Sequence, residues 1–272
     1  MEIWKNALDL TLRLPSTFIG VHMNRGQCRC LKCEEPDRRQ MLKVGFGMAT
    51  AATLGTLGLA FPRMSRAAAL TQKERDSMTP DQIIAAMKRG NERFVSGTAH
   101  RHDYLAQKRA SASGQFPSSV ILSCIDSRSP AELILDSGIG ETFNARIAGN
   151  IANDDLAGSL EFACAAAGAK VVLVMGHTSC GAIKGAIDNV KLGNLTGLLA
   201  KIKPAIDATK YDGDRSGSNI EFVDQVARSN VLNTIGDLRK SSDILASMEK
   251  DGKIKMVGSM YHLNTGKVEF LS

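Results

Sequence analysis

Residues 170–176 read Lys-Val-Val-Leu-Val-Met-Gly, with no polar position between the ends. A half-exposed strand alternates apolar and polar side chains, whereas a short unbroken run rich in valine implies a strand covered on both faces. Such strands belong to parallel sheets with helices packed above and below. A second short apolar run lies at 119–124, and 142–147 reads as a further strand. Helical segments alternate with them. Thr79-Pro80-Asp81 is a helix start, a capping hydroxyl followed by proline at the first helical position, and Ile83, Ile84, Met87 and Phe94 recur at helical spacing up to Gly97. Further helices are expected at 103–112, 156–167 (ended by Gly168), 180–191, 195–208, 218–239 and 241–250. A last strand pair, 254–263 and 267–270, turns at Asn264-Thr265-Gly266. The alternation predicts an α/β fold, a mainly parallel central sheet flanked by helices.

In open α/β sheets chemistry gathers just beyond the carboxyl ends of the strands. Here the first strand runs into Cys124-Ile125-Asp126-Ser127-Arg128, the second into Ala148-Gly149-Asn150, and the third into His177-Thr178-Ser179-Cys180-Gly181. If the first and third strands are neighbours, Cys124, His177 and Cys180 converge. Two thiolates and an imidazole suit zinc, and three protein ligands leave a fourth position open, as in catalytic rather than structural sites. Cys164, set among Phe162, Ala163 and Ala165, reads as core packing. His100 and His102 flank Arg101 and read as solvated, and His262 has no evident partner. Gly138-Ile139-Gly140 lacks the strand context and third glycine of a phosphate loop.

Cys124-x-Asp126-Ser127-Arg128 together with His177-x-x-Cys180-Gly181 resembles the two signature motifs of the β-class carbonic anhydrases. The likeness extends to Arg146-Ile-Ala-Gly149-Asn150, to Gly158-Ser-Leu-Glu-Phe162 and to the tail from Val257 to Gly266, and so covers roughly 75–272 in the right order. The resemblance implies a zinc cofactor held by Cys124, His177 and Cys180, and reversible hydration of carbon dioxide to bicarbonate and a proton. It matches Asp126 and Arg128 to the family's Asp–Arg pair beside the metal, and Gln115 to its substrate-contacting glutamine. Gly181 matches the glycine whose backbone N–H faces substrate, and Phe143, Ala148 and Phe162 match the apolar pocket wall. Many relatives carry tyrosine at Phe162. Some bacterial members have a tryptophan at Ile121 that, with an arginine matching Arg146, forms a non-catalytic bicarbonate site; without the tryptophan that site is not expected here. The family also implies a homodimer or higher homo-oligomer with pockets at the interface.

The pair also follows from chemistry. Hydration at neutral pH needs hydroxide, which zinc makes available, and two thiolates leave the metal less acidifying than three histidines do. Asp126 can orient the nucleophile, and Arg128 can hold Asp126 off the metal. The same zinc site also fits hydrolysis of carbon disulfide or carbonyl sulfide. A non-catalytic zinc and bicarbonate binder is a further reading, weakened by the intact Asp126–Arg128 pair and Gln115. A thiol redox enzyme would ordinarily carry Cys-x-x-Cys, which this region lacks.

The first 69 residues differ in kind. Arg38-Arg39 precedes an uncharged, moderately apolar run at 44–62, then Ala67-Ala68-Ala69. Basic segment, apolar segment and small-residue end are the parts of an export signal, and the paired arginines resemble a twin-arginine signal. The expected organisation is a leader at 1–69, with Met23 as an internal start, and one zinc-enzyme domain at 70–272 delivered to the periplasm, with no stable membrane insertion. Cys28, Cys30 and Cys33 are too cramped for a zinc knuckle and go with the leader. The leader also takes ten of the 34 Lys/Arg and five of the 28 Asp/Glu, leaving 24 basic against 23 acidic residues in the body. That balance, with aromatics at 5%, offers neither the basic face nor the stacking surface a nucleic-acid partner needs. The expected partner is a small molecule, carbon dioxide or bicarbonate.

Overall fold

The structure is a computed structural model that describes residues 69–271. The leader expected over 1–69, including Arg38-Arg39 and the run at 44–62, lies outside the described residues but for its last position. Two helices open the described chain, α1 (Gln72–Ser77) and α2 (Pro80–Val95), each begun by a threonine in a capping box, Thr71 with Glu74 and Thr79 with Gln82. After α3 (Tyr104–Ser111) come β1 (Ser119–Ser123), a single turn α4 (Ala131–Ile134) and β2 (Thr142–Arg146). A 3₁₀ turn (Ala148–Asn150) leads to α5 (Asp154–Glu161), capped by Asn153, and then to β3 (Val171–His177). Helices α6 (Gly181–Ile187), α7 (Gly193–Ala200), α8 (Lys203–Ala208), α9 (Ile220–Ser241) and α10 (Asp243–Lys250) follow. The chain closes with β4 (Lys255–Tyr261) and β5 (Val268–Leu271).

The five strands form one sheet in the order β2-β1-β3-β4-β5, parallel except for β5 against β4. Both faces are covered, and alternation divides the strand residues between them. Val120, Leu122, Val172 and Val174 face a core built with Phe222, Val226, Val231 and Leu238. Ile121, Leu173 and Met175 face a second core built with Ile83, Met87 and Ile134. Each fully buried side chain of this kind contributes about 1.5–3 kcal/mol, which is why β1 and β3 tolerate no polar residue at mid-strand. Among the described residues no helix is long and apolar enough to cross a membrane.

Three expectations are corrected. The single helix expected at 195–208 is two, because Pro204 supplies no N–H and instead sits in the first turn of α8. The helix expected to 167 is α-helical only to Glu161, then widens into a π turn over Phe162–Ala166. His102 is not solvated: its side chain is 4% exposed and its Nε2 lies 3.0 Å from Asp136 Oδ1. A polar local sequence hid that partner, which stands 34 residues away.

Candidate metal centre

Neighbouring parallel strands set the frame. Ser123 of β1 stands opposite Met175 of β3, so Cys124, one residue past β1, and His177, which ends β3, leave the sheet at its carboxyl end. Cys180 follows in the turn before α6. That turn bends through Ser179, a non-glycine residue with φ of 54°. It is held on three sides. Thr178 N–H donates to Tyr261 O at 3.0 Å, Leu263 N–H donates to Thr178 Oγ1 at 3.1 Å, and Ser179 N–H donates to Asp224 Oδ1 at 2.6 Å. The ligating atoms of Cys124, His177 and Cys180, all buried, lie within 4.8 Å of one another.

The three side chains fit a zinc ion. The two sulfurs are 4.0 Å apart and both cysteines are free; sulfurs sharing a tetrahedral zinc at about 2.3 Å each stand about 3.8 Å apart. His177 Nδ1 meets Thr178 O at 2.9 Å, so it carries the proton and leaves the Nε2 lone pair free. Nε2 is buried without a hydrogen-bond partner, a costly state for a polar atom unless a cation uses it. The thiols show the same need. The Cys124 thiol is held well below its ordinary range, chiefly by the hydrogen bond from Cys180, against the effect of burial. Cys180 is pushed up by that same bond and by burial. Without a cation the pair keeps one proton between them; with one, both can ionise. Burial disfavours a charged His177, but the Cys124 thiolate, the Thr178 carbonyl and Asp126 together outweigh it and raise the imidazole pKa.

Beside the trio, Arg128 grips Asp126 through both carboxylate oxygens, Nε to Oδ1 at 2.9 Å and Nη2 to Oδ2 at 2.8 Å, while Arg128 N–H donates to Oδ1 at 2.9 Å. These bonds hold the Asp126 carboxyl far below the usual carboxylate range, with Arg128's side chain the main cause. Asp126 is therefore an ionised acceptor, and its Oδ2 lies 3.9 Å from His177 Nε2. Arg146 fixes the same loop through its backbone: Nε donates to Cys124 O at 2.9 Å and Nη2 to Asp126 O at 2.6 Å.

The other residues singled out in the sequence divide. Gly181 opens α6 directly after Cys180, and its flank faces open space. Ala148 lies in the 3₁₀ turn whose next residue, Gly149, donates its N–H to Cys124 Sγ at 3.4 Å. Phe143 and Phe162 pack edge to face, ring centres 6.1 Å apart. They line a groove with Val120, Ala145 and Gly158 whose walls include none of the three ligands, and Phe162 is 55% exposed. Gln115 is exposed and precedes β1. Cys124 leaves the other end of that five-residue strand, about 17 Å of extended chain away. Ile121 is fully buried. Cys164 is buried, and that burial pushes its thiol up to about 12, as suits a packing residue. His262 has a partner the sequence did not disclose, Glu269, at 3.4 Å. Sequence reasoning also missed Asp224 and Asn230, whose Nδ2 donates to Gly149 O at 2.7 Å. Both lie within a long helix whose periodicity announces only packing.

Comparison with known proteins identifies the family. The carbonic anhydrase family profile matches residues 119–268. Carbonic anhydrase 2 of Mycobacterium tuberculosis is 32% identical over 188 residues, 67% of this chain and 88% of that protein. The carbonic anhydrase of Mycolicibacterium smegmatis is 32% identical over 189 residues, 69% of this chain and 91% of that protein. Among solved structures, a β-carbonic anhydrase of the fungal pathogen Aspergillus fumigatus superposes with a TM-score of 0.54 at 26% identity, over 71% of this chain and 91% of the other.

Proposed function

The chain belongs to the β-carbonic anhydrase family, zinc enzymes of carbon dioxide hydration, and from that premise we propose how its own residues divide the work. Cys124, His177 and Cys180 hold the zinc. The observation that carries the assignment is the buried Nε2 of His177, without a hydrogen-bond partner and grouped with two buried free thiols within 4.8 Å. When bound, zinc supplies the Lewis acidity that makes hydroxide available at neutral pH, an effect for which carbonic anhydrases are themselves the standard case. Asp126, kept ionised by Arg128, accepts a hydrogen bond from the nucleophile and turns its lone pair toward the substrate carbon. Arg128 holds both carboxylate oxygens and so keeps Asp126 in an orienting role. Arg146 anchors the Cys124–Asp126 backbone. The Gly181 amide, in the first turn of α6 directly after Cys180, donates to a substrate oxygen.

The pocket is completed by a second copy of this chain. That reading is supported by Gln115, exposed at the far end of β1 from its own chain's ligands, and by the apolar groove of Phe143 and Phe162 along the edge strand β2. The experiment is carbon dioxide hydration measured on the purified protein before and after a strong chelator, then after zinc is returned. Activity lost and regained in proportion to zinc content supports the assignment; chelator-resistant hydration by metal-free protein rejects it.

A further inference from the structure

Two bends frame the ligands: the loop after β3 carries His177 and Cys180, and the 3₁₀ turn after β2 lies against Cys124, which itself follows β1. The first turns through Ser179 with φ of 54°, the second through Gly149 and Asn150 with φ of 68° and 43°. A left-handed non-glycine residue costs about 1–2 kcal/mol, so these bends must be held from outside. Both are held by one helix. Asp224 of α9 accepts the Ser179 N–H at 2.6 Å, between His177 and Cys180. Asn230 of the same helix, 1% exposed, donates to Gly149 O at 2.7 Å, and Gly149 in turn donates its N–H to Cys124 Sγ. We infer that α9 sets the geometry of the metal centre from outside it, with Asp224 as a positioning residue for the loop that carries His177 and Cys180 and Asn230 as one for the turn whose Gly149 N–H contacts Cys124 Sγ.

The helix is suited to that task because it cannot shift independently of the sheet. Phe222, Val223, Val226 and Val231 are fully buried. The residue just before the ligand His177 is Gly176, where a Cβ would stand 2.7 Å from Val231 Cγ2 and 2.9 Å from Met260 Sδ. Glycine there lets α9 lie against β3 beside the metal end of the strand. The two polar side chains are six residues apart, about 9 Å along the helix axis, and so reach loops from two different strands. The bond at Asp224 joins an amide to a carboxylate, the stronger class of hydrogen bond. Groups that orient ligands in this way change metal affinity by about 10- to 100-fold when removed.

This inference rests on the reading that Cys124, His177 and Cys180 hold zinc, and its test separates the two. Zinc release to a chromogenic chelator is timed for the full chain, and the visible ligand-field spectrum is recorded for the cobalt-substituted protein, with circular dichroism as the check on folding. Asp224→Ala is expected to speed zinc loss by about 10- to 100-fold and to shift the cobalt spectrum. Asp224→Asn, which keeps an acceptor oxygen in place but loses the charge, is expected to fall between the unaltered chain and Asp224→Ala. Asp224→Ser, too short to reach Ser179, serves in place of alanine if that variant does not fold. Asn230→Ala is expected to speed release as well. Asp237→Ala, on the same helix with Asn233 as its partner, is expected to leave both readouts unchanged. Unaltered release and spectrum in folded Asp224→Ala or Asp224→Ser would overturn the inference while leaving the zinc reading intact. Equal defects in Asp224→Asn and Asp224→Ala would overturn the hydrogen-bonding role. An unaltered chain that takes up no zinc would overturn the zinc reading, and this inference with it.

Discussion

At Asp126 two demands compete. The carboxylate must lie close enough to the ligands to orient a nucleophile, yet a carboxylate oxygen is itself an acceptable zinc ligand. The structure resolves the conflict through Arg128, which occupies both oxygens. Arg128→Ala frees Asp126 to compete for the position the reacting water needs. Zinc content is expected to stay near that of the unaltered chain while hydration falls by about 10- to 100-fold, measured by metal analysis and stopped-flow hydration on one preparation. Metal loss would make Arg128 a structural residue, and undiminished turnover would remove the pair from the mechanism. At this scale the sequence was readable where chemistry sits in local motifs: the strand-end positions of Cys124, His177 and Cys180 suggested a metal site, and the family resemblance of those motifs added Asp126 and Arg128. Asp224, Asn230 and the backbone contacts of Arg146 could not be read there, because each serves a loop that is distant in sequence.

Elements tell a similar story with a different cause of error. The β1 and β3 strands were legible within a residue or two because burial on both faces leaves an unmistakable apolar run, whereas β2, a half-exposed edge strand with Asn144 and Arg146, has no such run. The single-turn α4 and the six-residue α1 are too short to show a period. The break between α7 and α8 depended on one proline whose position could be read as helix interior or helix start. The Asp136 cluster shows what local reading cannot reach. Its carboxylate, in a residue with φ of 50°, accepts from Arg93 Nε at 2.6 Å, from His102 Nε2 and from the His100 N–H at 3.1 Å, tying the segment before α3 to the end of α2. Burial opposes ionisation of Asp136, yet the bonds from Arg93, His102 and His100 outweigh it and lower its pKa. A carboxyl with a lower pKa folded than unfolded binds fewer protons when folded. Its contribution is complete above the ordinary carboxylate range and fades as pH falls through it. Asp136→Asn is therefore expected to cost about 2–3 kcal/mol at neutral pH, with the difference from the unaltered chain shrinking toward pH 3. Chemical denaturation across that range checks it, and a gap that stays constant or widens in acid would contradict the assignment.

For the whole molecule, the parallel neighbours β1 and β3 place every ligand at the carboxyl end of the sheet, and the parallel α/β arrangement was fixed by the same apolar runs that build its two cores. What one chain does not supply is a Gln115 near its own ligands, which is why a second copy enters the proposed function. We also propose that residues 1–69 export the protein to the periplasm, on the strength of Arg38-Arg39 before the uncharged run at 44–62 and Ala67-Ala68-Ala69. Replacing both arginines with lysine is expected to hold the protein in the cytoplasm, read by cell fractionation; unchanged export would reject a twin-arginine signal. The central claim, that a buried Cys-His-Cys centre holds the zinc on which hydration depends, is tested most directly by zinc stoichiometry and hydration rate on the same samples of the unaltered chain and of Cys180→Ser. The account predicts one zinc per chain and rapid hydration in the first, with most of the metal and all measurable hydration lost in the second while the protein stays folded. Full zinc content with undiminished hydration in Cys180→Ser would contradict it.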